Sequence, residues 1–426
     1  MHPVSKADRE KMMRVRLLLM TLPAPPPWVM LVSLIVSLPV SLILPHPART
    51  EGSEPMPPTQ LSAPTADSFG KLPDGTEAIL YTLQVPGGWR ATITNYGGIV
   101  TSFFVPQPTG PPIDIVLGFD SLEGYLDEHP FFGAICGRFG NRIADGQFTL
   151  DGKTATLAKN NGANHLHGGV RGFDKRCWQA TPLLSDKGPA LDLELISPAG
   201  DEGYPGQLTA RVRYTLTPAG EFWVEMEAQT DAPTVVNLVH HSYWNLAGHD
   251  AGGIGHHQLT VHANRYLPLD AGGIPTGQLA PVSNTPFDFR PTRPEQVALR
   301  DAIAGLTPSP EGAPQGGIDH CLVLDNWQPD GSLHPAVTLI EPVSGRSLEI
   351  LTDQPGIQIY TANYLDGSLT GKGGTAYRQH GAICLETECF PDAINHAPWH
   401  DDWPSGRLDP GQTYRHVMVH RFGTGQ

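Results

Sequence analysis

Charged residues are scarce in this chain, and positively charged ones are the scarcest. Only 17% of its 426 residues are charged, and 28 Lys and Arg stand against 43 Asp and Glu, for a formal net charge of −15. A chain this acidic, with no basic stripe, is unsuited to binding a polyanion, so nucleic acid is not expected as a partner. The acidity indicates solubility rather than a particular ligand.

Cysteine is also rare, and the available cysteines form no recognisable site. There is no CxxC pair of the kind that holds zinc, and five scattered thiols are too few for a disulfide framework. We expect free thiols, with a Cys384–Cys389 disulfide as the alternative if the protein is exported. The five are Cys136, Cys177, Cys321, Cys384 and Cys389.

Several sequence motifs of large enzyme classes are missing. There is no GxxxxGK[ST] loop and no GxGxxG after a strand, so phosphate and dinucleotide cradles are not predicted. No GxSxG elbow is present for a serine nucleophile. Long helical patterns are missing too, since only residues 294–304 look clearly helical.

The pattern that is present throughout is that of short strands. Gly (47) and Pro (42) are abundant, which favours many strands joined by turns. Residues 208–217 and 222–228 alternate apolar and polar side chains with a period of two, as half-buried antiparallel strands do. With no repeat and no second break in composition, we predict an all-β fold, a large antiparallel β-sandwich in one domain.

The first 66 residues differ from the remainder. Basic residues between Lys6 and Arg16 precede apolar blocks, as in a secretory signal, and residues 49–67 are rich in Pro, Ser, Thr and Ala. We therefore predict a leader over 1–66 and a β-sandwich domain over 67–426. The protein is then periplasmic or secreted, and cytoplasmic if translation starts further downstream. No stable membrane association of the folded domain is expected.

Polar residues gather in a few segments, which are the candidates for a functional site. The segments 137–148, 160–178, 237–248, 316–324, 354–365 and 381–393 combine Asn, Arg, His, Asp, Gln and Glu with aromatic residues. Hydroxyl groups need many fixed hydrogen-bond partners and aromatic rings cover C–H faces, so this combination is typical of a sugar site. His165 and His167 would point to one face of an extended segment, and Glu386 closes an apolar strand.

These segments resemble those of a known family in their residues and in their order along the chain. "GRFGNRI", "NNGANHLHGG" with "GFDKRCW", "HHSYWNLAG", "IPTGQLAPVSNTPFDFR", "GGIDHCLVL", "PGIQIYTANYL" and "CLETECFPDA" occur as they do in aldose 1-epimerases, the galactose mutarotases. The resemblance runs from about residue 69 to 423. It implies a β-sandwich of the galactose-mutarotase type and an isomerase that interconverts the anomers of free hexoses such as glucose and galactose, with no cofactor and no metal.

The resemblance also implies roles for particular residues. His241 resembles the family's general acid and Glu386 its general base. Two positions depart from the usual pattern, since His240 stands where Asn is frequent and Glu388 where Gln is frequent. A second carboxylate so near the first would raise one carboxyl pKa. The residues that resemble the family's sugar-binding set are Asn141, Arg142, His167, Asp319 and Gln358.

Three other functions compete with anomer exchange. An epimerase of another or a phosphorylated sugar would want a cluster of cations, for which Arg138, Arg142, Lys175 and Arg176 are the candidates. A non-catalytic carbohydrate-binding β-sandwich would not need His241 with Glu386. A metal hydrolase would use the His pairs. The preferred aldose and the oligomeric state stay open.

Overall fold

The structure is a computed structural model, and it describes residues 61–127, 129–293, 296–306, 316–397 and 403–424. The apolar blocks of the predicted leader lie outside the described residues. The first strand begins at Thr65, within the last residues assigned to the leader.

Thirty strands are present among the described residues. In chain order they are β1 (Thr65–Lys71), β2 (Glu77–Gln84), β3 (Arg90–Thr94), β4 (Val100–Val105), β5 (Ile113–Asp114), β6 (Ala134–Cys136), β7 (Arg142–Ile143), β8 (Gln147–Leu150), β9 (Lys153–Thr156), β10 (His165–Leu166), β11 (Gln179–Leu184), β12 (Pro189–Ser197), β13 (Leu208–Leu216), β14 (Glu221–Thr230), β15 (Thr234–Val235), β16 (Val239–His241), β17 (Tyr243–Trp244), β18 (Gln258–Val261), β19 (Ala263–Tyr266), β20 (Ala280–Pro281), β21 (Val297–Ala298), β22 (Asp319–Leu324), β23 (His334–Ile340), β24 (Arg346–Thr352), β25 (Gly356–Tyr360), β26 (Asp366–Thr370), β27 (Ala376–Arg378), β28 (Ile383–Glu388), β29 (Arg407–Leu408) and β30 (Tyr414–Thr424).

The strands form three main sheets. One has nine strands in the order β11-β12-β13-β14-β30-β24-β23-β18-β21, one has six in the order β17-β28-β25-β22-β19-β20, and one has five in the order β1 to β5. Short pairs such as β16 with β6 and β10 with β7 complete the described part. Neighbouring strands of the two largest sheets pair in the antiparallel sense, which confirms the predicted antiparallel all-β fold.

Three short α-helices lie among the described residues, α1 (Glu123–Leu126), α2 (Leu299–Ala304) and α3 (Ala393–His396). The helix predicted over 294–304 is therefore too long. Residues 297–298 form β21 instead, and residues 294–295 lie outside the described ranges. Helix α2 has Asp301 in its first turn, as an acidic N-terminus favours, and Gly305 follows its last residue. Within the described chain, no helix has both the length and the apolar character to cross a membrane.

Strand β5 is only two residues long. It ends at Asp114, whose Oδ1 accepts the backbone N–H of Phe103 at 3.0 Å and that of Val116 at 3.3 Å. The buried ammonium of Lys372 donates to the other carboxylate oxygen at 2.6 Å. A side chain thus replaces the backbone partner at this point, which a period of two does not reveal.

All three main sheets contribute to one hydrophobic core. Buried side chains of β13 and β14 pack in the same cluster as Leu322 of β22, Ile359 of β25 and Leu385 of β28. Because side chains alternate along a strand, the residues between these apolar ones lie on the opposite face of the six-stranded sheet. That opposite face carries the polar segments found in the sequence.

Candidate active site

A pocket on this second face of the six-stranded sheet brings together all seven residues that the sequence singled out. Each comes from a different strand or turn, apart from the neighbours Asn141 and Arg142. The pocket is lined by Pro130, Phe131, Asn141, Arg142, Leu166, His167, His241, Tyr243, Asp319, Gln358, Tyr360, Tyr364 and Glu386.

Strand β28 places Glu386 in the pocket through the alternation of its side chains. Ile383 and Leu385 pack in the main core, whereas Cys384, Glu386 and Glu388 lie on the other face. Glu386 is only 2% exposed. The strand thus gives one face to packing and holds a carboxylate in a nearly dry environment on the other.

His241 faces Glu386 across the pocket. It ends β16, and its Nε2 lies 3.6 Å from Oε2 of Glu386. The imidazole is stacked on the ring of Tyr243, with ring centres 5.2 Å apart. It is also stacked on the ring of Phe131, with ring centres 5.8 Å apart. These rings fix the orientation of the imidazole.

Burial acts on the two groups in opposite directions, because it disfavours the charged form of each. It lowers the pKa of His241 to about 4. It raises the pKa of Glu386 well above its usual value, and the nearby charges of Glu388 and Asp319 raise it further, while Arg142 opposes them. Such perturbed neighbours in a pocket are typical of a catalytic acid and base.

A polar wall stands beside this pair. Gln358 of β25 donates from Nε2 to Oδ1 of Asp319 at 2.6 Å, and Nη2 of Arg142 lies 3.7 Å from Oδ2 of the same carboxylate. Arg142 Nε donates to Oδ1 of Asn161 at 3.2 Å. Among the described residues, Oε1 of Gln358 is buried without a hydrogen-bond partner, so it is available to accept from a ligand hydroxyl.

Asn141 and His167 hold each other through their backbones. The N–H of Asn141 donates to Nδ1 of His167 at 3.1 Å, and the N–H of His167 donates to the carbonyl of Asn141 at 3.1 Å. Both residues have a left-handed backbone, with φ of 60° and 50°. Since Nδ1 accepts, the proton of the neutral imidazole is on Nε2, which makes that atom a donor.

The left-handed backbone at His167 corrects the prediction that His165 and His167 point to one face. His165 does not share a face with His167, because its ring bonds the carbonyl of Ala158 and the hydroxyl of Tyr204 instead. The glycine that follows His167 packs against another segment of the chain. A Cβ on Gly168 would lie 1.7 Å from the carbonyl oxygen of Gly137, so this glycine is needed for packing against protein backbone.

Aromatic side chains complete the pocket, and none of them is among the seven residues predicted to act on or bind the sugar. Phe131 has a φ of 62° and places its ring 4.6 Å from that of His167. Tyr360 ends β25 on the same face as Gln358, and Tyr364 lies 6.2 Å from it, ring centre to ring centre. The alternation of β25 around Gln358 would have revealed Tyr360, but Phe131 lies in a loop without any pattern.

Of the four cations considered for a phosphate site, only Arg142 lines the pocket. Arg138 is buried and donates to the carbonyls of Pro205 and Gly206 at 2.8 and 2.9 Å. Lys175 donates to Asp174 at 2.7 Å, and Arg176 pairs with Asp201. No cluster of cations therefore forms from these four residues.

One group of potential metal ligands lies at the site. Ligand atoms of His241, Cys384 and Glu386 are within 4.8 Å of one another. All five cysteines are free, so the alternative of a Cys384–Cys389 disulfide is wrong. Cys384 is buried, and burial raises the pKa of its thiol well above the usual range, which keeps the thiol protonated.

Known proteins are similar in sequence to this chain over almost the whole described domain. Residues 80–421 match the family model described as Aldose 1-epimerase. The chain is 42% identical to the galactose mutarotase of Bos taurus over 357 residues, which cover 83% of this chain and 97% of that protein. The chain belongs to the aldose 1-epimerase family. As a member it is an isomerase that interconverts the anomers of hexoses.

Further relatives agree with this membership. The aldose 1-epimerase of Escherichia coli is 34% identical over 350 residues, 82% of this chain and 96% of that protein. The crystal structure of galactose 1-epimerase from Lactobacillus acidophilus has a TM-score of 0.72 and 25% identity, and it covers 86% of this chain and all of that one. The aldose epimerase homologue from C. elegans has a TM-score of 0.70 and 26% identity, over 82% of this chain and 99% of that one. The family resemblance and the galactose-mutarotase fold are thus confirmed.

Proposed function

We propose that the chain interconverts the α and β anomers of free hexoses such as glucose and galactose, with Glu386 as general base and His241 as general acid. The observation that carries this proposal is the 3.6 Å separation between His241 Nε2 and Glu386 Oε2 in one buried pocket. A base and an acid so close together can serve two neighbouring oxygens of one sugar. The galactose mutarotase and aldose 1-epimerase relatives support the substrate class.

The reaction opens and recloses the sugar ring. Glu386 takes the proton of the C1 hydroxyl while His241 gives a proton to the ring oxygen, so the C1–O5 bond breaks and C1 becomes a carbonyl. Rotation about C1–C2 presents the other carbonyl face. Reclosure reverses both proton transfers and yields the other anomer. Each such transfer contributes about 10²–10⁴-fold to the rate.

The pair needs one proton in total for this work. Burial favours this proton on Glu386 over His241, because it raises the pKa of the carboxyl and lowers the pKa of the imidazole to about 4. Moving it from Glu386 to His241 Nε2 produces the carboxylate and the imidazolium without changing the charge of the pair. We therefore expect the rate to fall when pH removes this proton or adds a second one.

The remaining polar residues would bind and orient the hydroxyls. Arg142 Nη2 and the carboxylate of Asp319 supply a donor and an acceptor, and Gln358 Oε1 accepts. His167 Nε2 donates, since its Nδ1 already accepts from Asn141. Phe131 and Tyr360 would cover the C–H face of the ring. Fixing the sugar between these groups supplies much of the remaining rate enhancement.

The experiment that tests the proposal is mutarotation of fresh α-glucose and α-galactose, followed by polarimetry with the spontaneous rate subtracted. We expect Glu386→Gln to lower kcat about 10²–10⁴-fold, because the amide cannot accept the proton. Glu349→Gln is the matched control, because it removes a carboxylate from β24 of the nine-stranded sheet, outside the pocket. This variant should keep the wild-type rate. A near-normal rate in Glu386→Gln contradicts the assignment.

The same assay separates the competing functions. Faster exchange of glucose 6-phosphate than of glucose would favour an epimerase of phosphorylated sugars. Sugar binding without any anomer exchange would favour a carbohydrate-binding module. We propose that no metal takes part, so dialysis against a chelator should leave the rate unchanged; loss of activity that zinc restores would contradict this.

We propose further that the leader directs export and that the folded domain acts outside the cytoplasm. The support is the run of basic residues from Lys6 to Arg16 before the apolar blocks. Fractionation of cells expressing the full chain, with N-terminal sequencing of the product, tests this. An intact N-terminus on a cytoplasmic product would contradict it.

A further inference from the structure

Strand β28 carries a second buried carboxylate whose purpose the reaction does not explain. Glu388 lies two residues after Glu386 on the same face of the strand and is fully buried. It stands behind the pocket rather than among the residues that line it.

Two side-chain amides point their donors at Glu388. Asn141 Nδ2 donates to its Oε1 at 3.0 Å, and Asn237 Nδ2 lies 3.4 Å from its Oε2. Neither amide is free to turn around, because Asn141 Oδ1 accepts the N–H of Arg142 at 2.9 Å and Asn237 Oδ1 accepts the N–H of Cys389 at 3.0 Å. Two fixed donors facing two oxygens suit an ionised carboxylate.

These donors decide which of the two carboxyls carries a negative charge. Glu388 receives hydrogen bonds from both amides, whereas the basic atom nearest to Glu386 is His241 Nε2 at 3.6 Å. Burial raises the pKa of Glu388 to about 8 against the effect of the amides, and the charge of Glu388 in turn raises the pKa of Glu386. Of the two carboxyls, Glu388 is therefore the one whose ionised form is stabilised by fixed hydrogen-bond donors.

Other titratable groups also face Glu388. Asp319 opposes its ionisation and Arg142 favours it. The other groups facing Glu388 are three cysteine thiols and one tyrosine hydroxyl, and they are neutral because burial raises the pKa of each. The groups are Asp319 and Cys321 of β22, Arg142 of β7, Cys136 of β6, Cys389 next in the chain and Tyr414 of β30.

The same hydrogen bonds connect Glu388 to the sugar site. Asn141, which Glu388 holds, donates its backbone N–H to Nδ1 of His167 and accepts the N–H of His167. The next residue is Arg142, whose guanidinium lies in the pocket. Movement of the Asn141 side chain would therefore shift two of the residues that we assign to sugar binding.

We propose that Glu388 is a positioning residue with two effects: its carboxylate holds the turn at Asn141, and its negative charge moves the pH range in which Glu386 acts as a base to higher pH. The inference rests on the proposed role of Glu386. It predicts that this chain works at higher pH than it would with Gln at position 388.

The first test is Glu388→Gln, which keeps the shape and one acceptor for Asn141 but removes the charge. The measured quantity is kcat/KM at pH 7 divided by kcat/KM at pH 9, because a pKa of about 8 leaves the wild-type Glu388 carboxyl mostly neutral at the first pH and mostly charged at the second. We expect this ratio to increase about three- to tenfold, since a like charge near Glu386 is gone. KM at pH 8 should stay close to the wild-type value. A ratio equal to that of the wild type overturns the effect of charge.

The second test is Glu388→Met, which keeps the length of the side chain but offers no acceptor to Asn141. We expect KM to increase about tenfold, as the loss of a hydrogen bond to a charged group would produce. An unchanged KM in the folded variant overturns the positioning of the turn. If this variant does not fold, the pH ratio of Glu388→Gln still decides the proposal.

Glu386→Gln separates the two hypotheses. If that variant keeps near-normal activity, the proposed function is wrong and Glu388 has no base to influence. If it is inactive while Glu388→Gln shows the wild-type pH profile, only the present inference fails.

Discussion

His240 and His241 are neighbours on strand β16, and they lie in two different regions of the molecule. The ring of His241 lies in the pocket opposite Glu386. The ring of His240 lies in the core, where Nε2 bonds the hydroxyl of Ser242 at 2.9 Å and the ring of His420 is 5.6 Å away. Alternation along the strand sends two identical side chains to a site and to a core.

Burial alone does not distinguish these two histidines. It lowers the pKa of His241 to about 4 and the pKa of His240 well below its usual value. What differs is the neighbour, since His241 has a carboxylate at 3.6 Å and an open pocket, whereas His240 has a hydroxyl and another imidazole. A perturbed pKa indicates a site only together with a reaction partner.

The same contrast separates two arginines that are four residues apart. Arg142 lies at the pocket with Asp319 3.7 Å away. Arg138 is 1% exposed and uses its guanidinium to hold the carbonyls of Ser197, Pro205 and Gly206. The first can meet a ligand, and the second connects three segments of the chain.

The largest expected effect is on kcat, and it should differ between the two histidines. We expect His241→Asn to lower kcat about 10²–10⁴-fold, because the general acid is lost. His240→Asn, in the core, should keep a kcat close to that of the wild type, since the amide can still bond Ser242. Polarimetry of both variants measures the difference.

Thermal unfolding is the control for this pair, because either substitution can loosen a packed strand. If both variants fold and both lose activity equally, the two regions are not separate, and the assignment of the acid to His241 is wrong.

Substitutions of the two arginines should have smaller effects on activity. Arg142 should affect sugar binding, whereas Arg138 should affect the stability of the fold. Arg142→Ala should lower kcat/KM about ten- to a hundredfold, with a raised KM, because a charge-assisted hydrogen bond to the sugar is lost. Arg138→Met should instead lower the free energy of unfolding by about 3–5 kcal/mol, since buried carbonyls lose their donor. Denaturant titration and steady-state kinetics on both variants measure the two effects. An unchanged KM in Arg142→Ala would place this residue outside the sugar site.

Much of this contrast could be predicted from the sequence, because it follows from alternation. The period-two pattern of β13 and β14 predicted antiparallel partners, and the apolar residues around Glu386 predicted that β28 turns its carboxylate away from the core. The family resemblance selected the residues that the structure brings to one pocket. Local pattern and motif were sufficient where a side chain's direction depends only on its strand.

The features that escaped prediction depend on contacts between distant residues or on an unusual backbone. The left-handed φ of His167 separates it from His165, and that of Phe131 brings a loop ring to the pocket. Arg138 resembles a site residue until its acceptors, about 60 to 70 residues away in sequence, are known. No pattern around any of these residues reports such partners.

The smallest expected effect concerns the stability of the folded protein in acid, and it tests the histidines that lie in the core rather than in the pocket. Burial lowers the pKa of His416 and His420 to about 4, whereas in the unfolded chain these groups titrate near 6.5. Between these values the unfolded state binds more protons than the folded state, so stability is lost as the pH falls from 6.5 towards 4. The buried carboxyls act in the opposite direction: the unfolded chain ionises them near 4.5 and the folded chain ionises Glu388 at about 8, so they reduce stability as pH rises between these values.

Replacing one core histidine isolates its share of this acid sensitivity. His420 packs against the rings of Phe222 and Trp244, so His420→Phe keeps an aromatic ring there without a titratable group. We expect the fall in Tm between pH 6.5 and pH 4.5 to become about 2–4 °C smaller than in the wild type, while activity at neutral pH stays the same. An equal fall in both proteins would mean that His420 is already protonated in the folded core, and a loss of activity would mean that the core histidines and the pocket are coupled.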